Sequence, residues 1–534
     1  MASFASPLSE LNEYRILEED FGKQRGPLSV SGCMDSQKVH LMHELAKGKE
    51  VALVVTYSEA RSREIYEDFL NFRRDVHLYP ARDLLFYQAD IQGNLLTRQR
   101  ATVLKALFEG EAGVVVTTVD ACMERLIPAR AWKDRRIWVE EGAELDVEAL
   151  RSELVLAGYE RVVQVEQPGQ FCVRGGIVDV YPLTEDNPVR IELWDTEIDS
   201  IRTFDVESQR SVERVEGLYL YPASEMFFTK EQLERGLEQI EISAERQSKA
   251  LNKQGCGEAS LKIRKQAEAV TEAIEENWRI TGLDSYRTCF YDETQTLIEY
   301  FPENVSLFVD EPVRVSEKAD VSYTEFAESM SQRLEKGYLL PEQAELMVEL
   351  PEIFNRLQTG TSVYLAGIDQ KGSRLTANKA FSLTVKNANT YQNSFELLIQ
   401  DLKRWKKNGF RTVLLCPSRT RAERMAKELQ EYELLAYYTE DENKEVQPGE
   451  ICVLYGNLHR GFEYPLIKFV VIAESDLFGK EKKKRKRKKY GKDGSGQKIM
   501  VSVSIGESRK LKSITSSRII SRLSTKTAEI FICR

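Results

Sequence analysis

Short apolar runs separated by helical stretches restrict this chain to a layered α/β architecture. Residues 51–57 read VALVVTY, 113–120 GVVVTTVD, 412–418 TVLLCPS, 450–456 EICVLYG and 468–476 KFVVIAESD. Runs of this length, rich in valine and bounded by polar or turn residues, are strands. Between them the apolar spacing shifts to the helical period. Ile65, Phe69 and Phe72 share one face of a helix expected from Ser58, and further helices are expected over 393–409 and 421–433. A charged stretch over 229–277 opens with a capping box of Thr229 and Gln232 and breaks near Gly255 and Gly257, so it reads as long helix. Strands alternating with helices build largely parallel sheets. At 534 residues the chain has room for three or four domains, each with its own core.

Residues 31–39, SGCMDSQKV, stand where such a sheet would carry a phosphate-binding loop. That loop needs G-x-x-x-x-G-K-[ST]: the glycines let backbone N–H groups cradle phosphates, the lysine reaches the β/γ-phosphates and the hydroxyl holds magnesium. Gly32 and Lys38 fit the pattern. Gln37 replaces the second glycine, Val39 replaces the hydroxyl residue, and Asp35 sets a negative charge where phosphates would lie. The site therefore reads as degenerate. LFVDEP at 307–312 offers Asp310 and Glu311 as remnants of a magnesium-side motif, although a strand end with ordinary carboxylates is the preferred reading. No compliant loop occurs elsewhere, and ATP hydrolysis is not expected.

Residues 171–210 have the character of a docking surface. Gly175 and Gly176 permit a tight turn, IVDVY and VRIELW alternate as strands, and PLTEDNP between them is rich in turn residues. Arg174, Arg190 and Trp194 lie on or beside these strands. Arginine and tryptophan dominate interface energetics because they combine large area with directional donors. The competing expectation buries Trp194 and pairs both arginines with nearby carboxylates.

The run from RGG through RIELWDTEIDSIRTFD to SQR resembles the UvrA-binding module shared by the excision-repair protein UvrB and the transcription-repair coupling factor family. The resemblance covers about residues 10–498. It implies that Arg174, Arg190 and Trp194 face UvrA, with Trp194 standing where the family has phenylalanine. It also implies a degenerate RecA/UvrB-like parallel-sheet domain over 1–130 and 216–350, with the α/β UvrA-interaction module inserted at 131–215. A second α/β domain over 351–478, a basic linker over 479–498 and a disordered, aberrant tail over 499–534 complete the expected order. The family's ATP and Mg belong to translocase domains outside this stretch, so no cofactor is expected here. RNA polymerase and DNA are expected to bind through those further regions. An active UvrB-like ATPase is the alternative, but it would need a sound phosphate loop and an aromatic DNA-inserting hairpin. Residues 84–100 are short for that hairpin and hold one tyrosine, Tyr87. The tail departs from the family, and with suitable codons a one-nucleotide frame shift would restore family-like strings.

Composition excludes other classes. The eight cysteines form no C-x-x-C pair, and His40 and His43 lack a nearby third metal ligand among the four histidines. No apolar run spans a bilayer and the first residues lack a leader pattern, so a cytoplasmic protein is expected. The formal net charge is −10 even with the basic run KEKKKRKRKK at 480–489. Bulk charge therefore disfavours nucleic-acid binding by the rest of the chain, and the run itself reads as a solvated linker.

Overall fold

A computed structural model describes residues 6–85, 94–277, 282–369, 372–441 and 444–478. The expectations for the basic run and the tail fall outside these residues. The expected α/β fold class is what the molecule has.

Seven parallel strands form the largest sheet. Their order is Lys379–Ser382, Leu28–Ser31, Ser362–Leu365, Ser306–Asp310, Ala52–Thr56, Val114–Thr118 and Val76–Leu78. The valine-rich central strands are buried along their whole length because helices cover both faces. Val54, Val116 and Phe308 pack on the side that holds Val39, Leu45, Ile65 and Phe69 from helices Asp35–Ala46 and Glu59–Phe69. Their chain neighbours Leu53, Val55, Val115 and Val309 face the opposite core.

One expected boundary is corrected here. The sequence pattern assigns residues 362–367 to the later α/β domain, yet Ser362–Leu365 lies between Leu28–Ser31 and Ser306–Asp310 in the first sheet. A run this short and apolar fits any parallel sheet; its place is decided by register with partners more than fifty residues away in sequence, as in Leu307 opposite Ser362. The first sheet extends to Ser382, and the last sheet begins at Lys386.

A second, six-stranded sheet runs Ser211–Arg214, Glu197–Phe204, Val189–Trp194, Ile177–Val180, Gln170–Arg174 and Glu160–Arg161. Its pairs are antiparallel except the last. Phe171, Val178, Val180, Val189, Ile191 and Ile201 point into the large core. An antiparallel ribbon, Ile137–Glu140 with Gly217–Leu220, brackets this module at its two chain crossings. Helices Lys230–Lys253 and Gly257–Asn277 follow, the first entered through the Thr229–Gln232 capping box.

The last sheet orders Lys386–Asn387, Phe462–Tyr464, Phe469–Ile472, Arg411–Cys416, Glu450–Tyr455 and Leu435–Tyr438. It shares a core with the first sheet, since Phe462, Tyr464 and Val413 cluster with Val39, Leu41 and Val54. Among the described residues no helix is long and apolar enough to cross a membrane.

Candidate functional site

The outward face of the six-stranded sheet gathers the three residues singled out for docking. Cys172, Asp179, Arg190 and Arg202 are register partners across four neighbouring strands. Asp179 is only 1% exposed although it lies on this outer face. Cys172, whose Sγ lies 3.9 Å from Asp179 Oδ2, belongs to a small second core with Val165 and Tyr181, flanked by Val162 and Val206. Arg190 grips the carboxylate with Nε at 2.7 Å from Oδ1 and Nη2 at 2.9 Å from Oδ2. Its guanidinium lies 4.5 Å from the Phe204 ring centroid and its side chain is 17% exposed. Arg174, beside the turn that Gly175 makes at φ 59°, reaches the same carboxylate through Nη2 at 2.9 Å. Its side chain remains 50% exposed.

Trp194 ends its strand where Asp195, at φ 59°, turns the chain into Glu197–Phe204. It is 82% exposed. The burial expected of a large apolar side chain does not occur, because 190, 192 and 194 share the outward face while Ile191 and Leu193 take the inward one. The arginines do pair with a carboxylate, as the competing expectation holds, but with one shared carboxylate between them.

The segment aligned with a phosphate loop has its side chains engaged within the fold. Lys38, in the first turn of helix Asp35–Ala46, points its Nζ at Asp310 Oδ1 (2.7 Å) and Glu311 Oε1 (2.5 Å). Asp310 Oδ2 accepts from Thr56 Oγ1 at 2.9 Å and from Arg61 Nε at 3.1 Å. Burial pushes the Asp310 carboxyl up, but the attraction and hydrogen bonds of Lys38 and Arg61 outweigh it and hold the group below its ordinary range. Burial likewise opposes the charge on Lys38, and Asp310 and Glu311 overcome it. These are not ordinary strand-end carboxylates, which corrects the preferred reading of the sequence; a buried charge has to find partners, and these are the partners.

Gly32 adopts φ 77°, and a Cβ there would come 2.1 Å from the Leu383 carbonyl oxygen. The chain leaving strand Lys379–Ser382 therefore lies against the backbone that would cradle a phosphate. Gln37, at the position of the second glycine, accepts from the Met34 N–H at 3.0 Å and donates to the Tyr464 hydroxyl of the last domain at 2.9 Å. Val39 is core. Asp35 is exposed, and its backbone carbonyl accepts from Arg61 Nη2 at 3.2 Å. Among the described residues no cluster of three or more His, Cys, Asp or Glu could hold a metal ion.

Residues 137–226, the ribbon and docking sheet together, match the UvrB interaction domain family. The transcription-repair-coupling factor of Bacillus subtilis (strain 168) is 31% identical over 447 residues, covering 82% of this chain and 37% of that relative. The chain belongs to the transcription-repair-coupling factor family. The Staphylococcus epidermidis member is 28% identical over 496 residues and the Staphylococcus aureus (strain USA300) member 27% over 493, covering 91% and 92% of this chain and 41% of each relative. This coupling-factor chain thus spans about two fifths of the length of the curated relatives it matches.

Within this coupling-factor chain, three partners of these side chains are not announced by the sequence. Asp179 carries a signal only in hindsight, as the acidic position opposite Arg190 on paired alternating strands. Thr56 and Arg61 reach Asp310 from one strand away and from a neighbouring helix, placements that no local spacing encodes.

Proposed function

We propose that this chain recruits UvrA in transcription-coupled excision repair, docking through the outward face that carries Arg174, Arg190 and Trp194, and that it does so without hydrolysing ATP. The match of residues 137–226 to the UvrB interaction domain family carries the reading. An 82%-exposed tryptophan beside a half-exposed arginine supplies the anchor and donor expected of an interface centre. In the coupling-factor family this recruitment follows arrest of RNA polymerase at a lesion, and the polymerase and DNA contacts, like the ATP and Mg of the motor, are assigned to other parts of the family's architecture.

Lys38 supports the second half of the proposal. Its amino group is committed to Asp310 and Glu311, and Val39 offers no hydroxyl for magnesium. A phosphate would have to break a buried ion cluster to enter. The rival reading, a UvrB-like protein with a residual ATP site, predicts nucleotide binding that Lys38 substitution abolishes.

Calorimetric titration of UvrA with the purified chain tests the docking face. Replacing both Arg174 and Arg190 by Ala should weaken binding by about 1–3 kcal/mol for each charge-assisted hydrogen bond removed. Trp194→Ala should weaken binding while leaving thermal stability nearly unchanged, as for an exposed side chain. Equal affinity of wild type and the arginine double variant would refute the reading.

A further inference from the structure

Behind the two arginines of the docking face, the geometry points to Asp179 as the residue that positions both. This inference rests on the UvrA-docking role proposed above. Asp179 is the hub of a three-residue cluster in which one buried carboxylate serves two guanidiniums. Its Oδ2 accepts from Arg174 Nη2 and Arg190 Nη2, each at 2.9 Å, while Oδ1 takes Arg190 Nε at 2.7 Å.

The two arginines are held differently. Arg190 is clamped side-on and laid over Phe204, with Gln209 Oε1 at 3.4 Å from its Nη2. A planar fork gripped along one edge presents the donors of its free Nη1 in one direction only. Arg174 is tethered end-on by one nitrogen, and half of its side chain meets solvent. Asp179 alone cannot neutralise two guanidiniums, and the attraction of Glu192 also reaches Arg190, which leaves the half-exposed Arg174 with a single tether. Around it on the same face, Glu192 is engaged by the Ser200 hydroxyl at 2.9 Å, and Arg214 is tied to Glu141 at 2.8 and 2.9 Å. The chemistry complementary to this cluster is a carboxylate on the UvrA surface that meets the exposed edge of Arg174.

Positioning and bulk charge make opposite predictions, and that opposition supplies the test. Asp179→Asn keeps the shape and removes one negative charge from the face. If only net charge mattered, an acidic partner would bind this variant more tightly. If Asp179 acts by orienting the arginines, the variant binds more weakly although its face is more positive. The expected result is a loss of about tenfold in UvrA affinity by calorimetry, measured at a temperature where the variant's melting curve shows it folded. Affinity equal to or tighter than wild type overturns the proposal.

Arg190→Lys serves if the Asn variant folds poorly, because it keeps the charge and removes the fork. It should weaken UvrA binding in the same direction, and unchanged affinity overturns the proposal too. Where both fold, the double variant should lose less than the product of the single losses, since both changes disturb one cluster. Strictly multiplicative losses count against it. If Arg174→Ala and Arg190→Ala leave binding untouched, the docking role itself fails and the positioning role fails with it. Weakened binding in those variants with full binding by Asp179→Asn refutes the positioning role alone.

Discussion

Lys38 stands at the position of a phosphate-loop lysine, and its amino group is engaged by the fold itself. In a working phosphate loop the lysine amino group waits for a nucleotide and contributes little to the fold. Here it is 4% exposed and bonded to two carboxylates. Lys38→Met removes the charge at roughly constant length and leaves Asp310 with Arg61 and Glu311 with no cation in the cluster. Breaking a buried pair from one side costs about 3–5 kcal/mol, so urea unfolding should show a loss of that order. A nucleotide site would respond in the other way, with nucleotide affinity lost and stability kept. The folded-state value of Lys38 is raised, so its contribution is present below the unfolded lysine range and fades as pH climbs through the folded value. Asp310 is lowered, so its contribution is present above the unfolded aspartate range and fades in acid. Both contributions are in force at neutral pH.

Elements whose signals are local follow the sequence closely. Thr229 caps helix Lys230–Lys253, its hydroxyl accepting from the Gln232 N–H at 3.1 Å while the Gln232 side chain accepts from the Thr229 N–H at 2.9 Å. The helix stops at Lys253 and the next starts at Gly257, where the glycines mark the break. Thr229→Ala should cost about 1 kcal/mol, read as an earlier urea midpoint with an unchanged slope. Elements fixed by distant pairing are less legible. Strand Ser362–Leu365 has the same composition wherever it is placed, and only its neighbours at Leu28–Ser31 and Ser306–Asp310 decide its sheet. The ribbon of Ile137–Glu140 and Gly217–Leu220 joins segments on either side of an entire module, and nothing within four residues announces it. The hairpin of Ile177–Val180 and Val189–Trp194 is readable because alternation and turn residues are local, and Trp194 falls outward by that same alternation. Asp179 is harder to see, since its role depends on Arg174 and Arg190 meeting it from the two neighbouring strands.

At the scale of the whole molecule, the first and last sheets are joined through helix Asp35–Ala46. The Tyr464 hydroxyl stands 2.9 Å from Gln37 Nε2 and 3.1 Å from His40 Nδ1. Phe462 stacks on His40 at 5.3 Å, and Phe72 stacks on His43 at 5.1 Å. Nearby, the Arg460 N–H donates to Ser36 Oγ at 3.0 Å, and His459 approaches Asp68 Oδ1 through both its N–H (2.8 Å) and Nδ1 (2.9 Å). This junction titrates in both directions. Burial holds His40 well below its ordinary value, and burial with Lys47 and Arg73 lowers His43 to about 4. The bond to Asp68 raises His459, and burial raises Asp476, which anchors the same loop, to about 6. His43 is neutral in the fold and protonates in the unfolded chain near 6.5, so its share of stability is present above that value and falls as pH drops toward 4. A difference of that size corresponds to about 3 kcal/mol at the acid end. His459 and Asp476 act with the opposite sign, so the net slope mixes all of them. The difference between wild type and His43→Gln isolates one contribution: the gap in unfolding free energy should shift in favour of the variant by a few kcal/mol between pH 7 and pH 4. A gap that stays constant across that range would mean that His43 is protonated in the fold, and that stacking on Phe72 leaves it open to water.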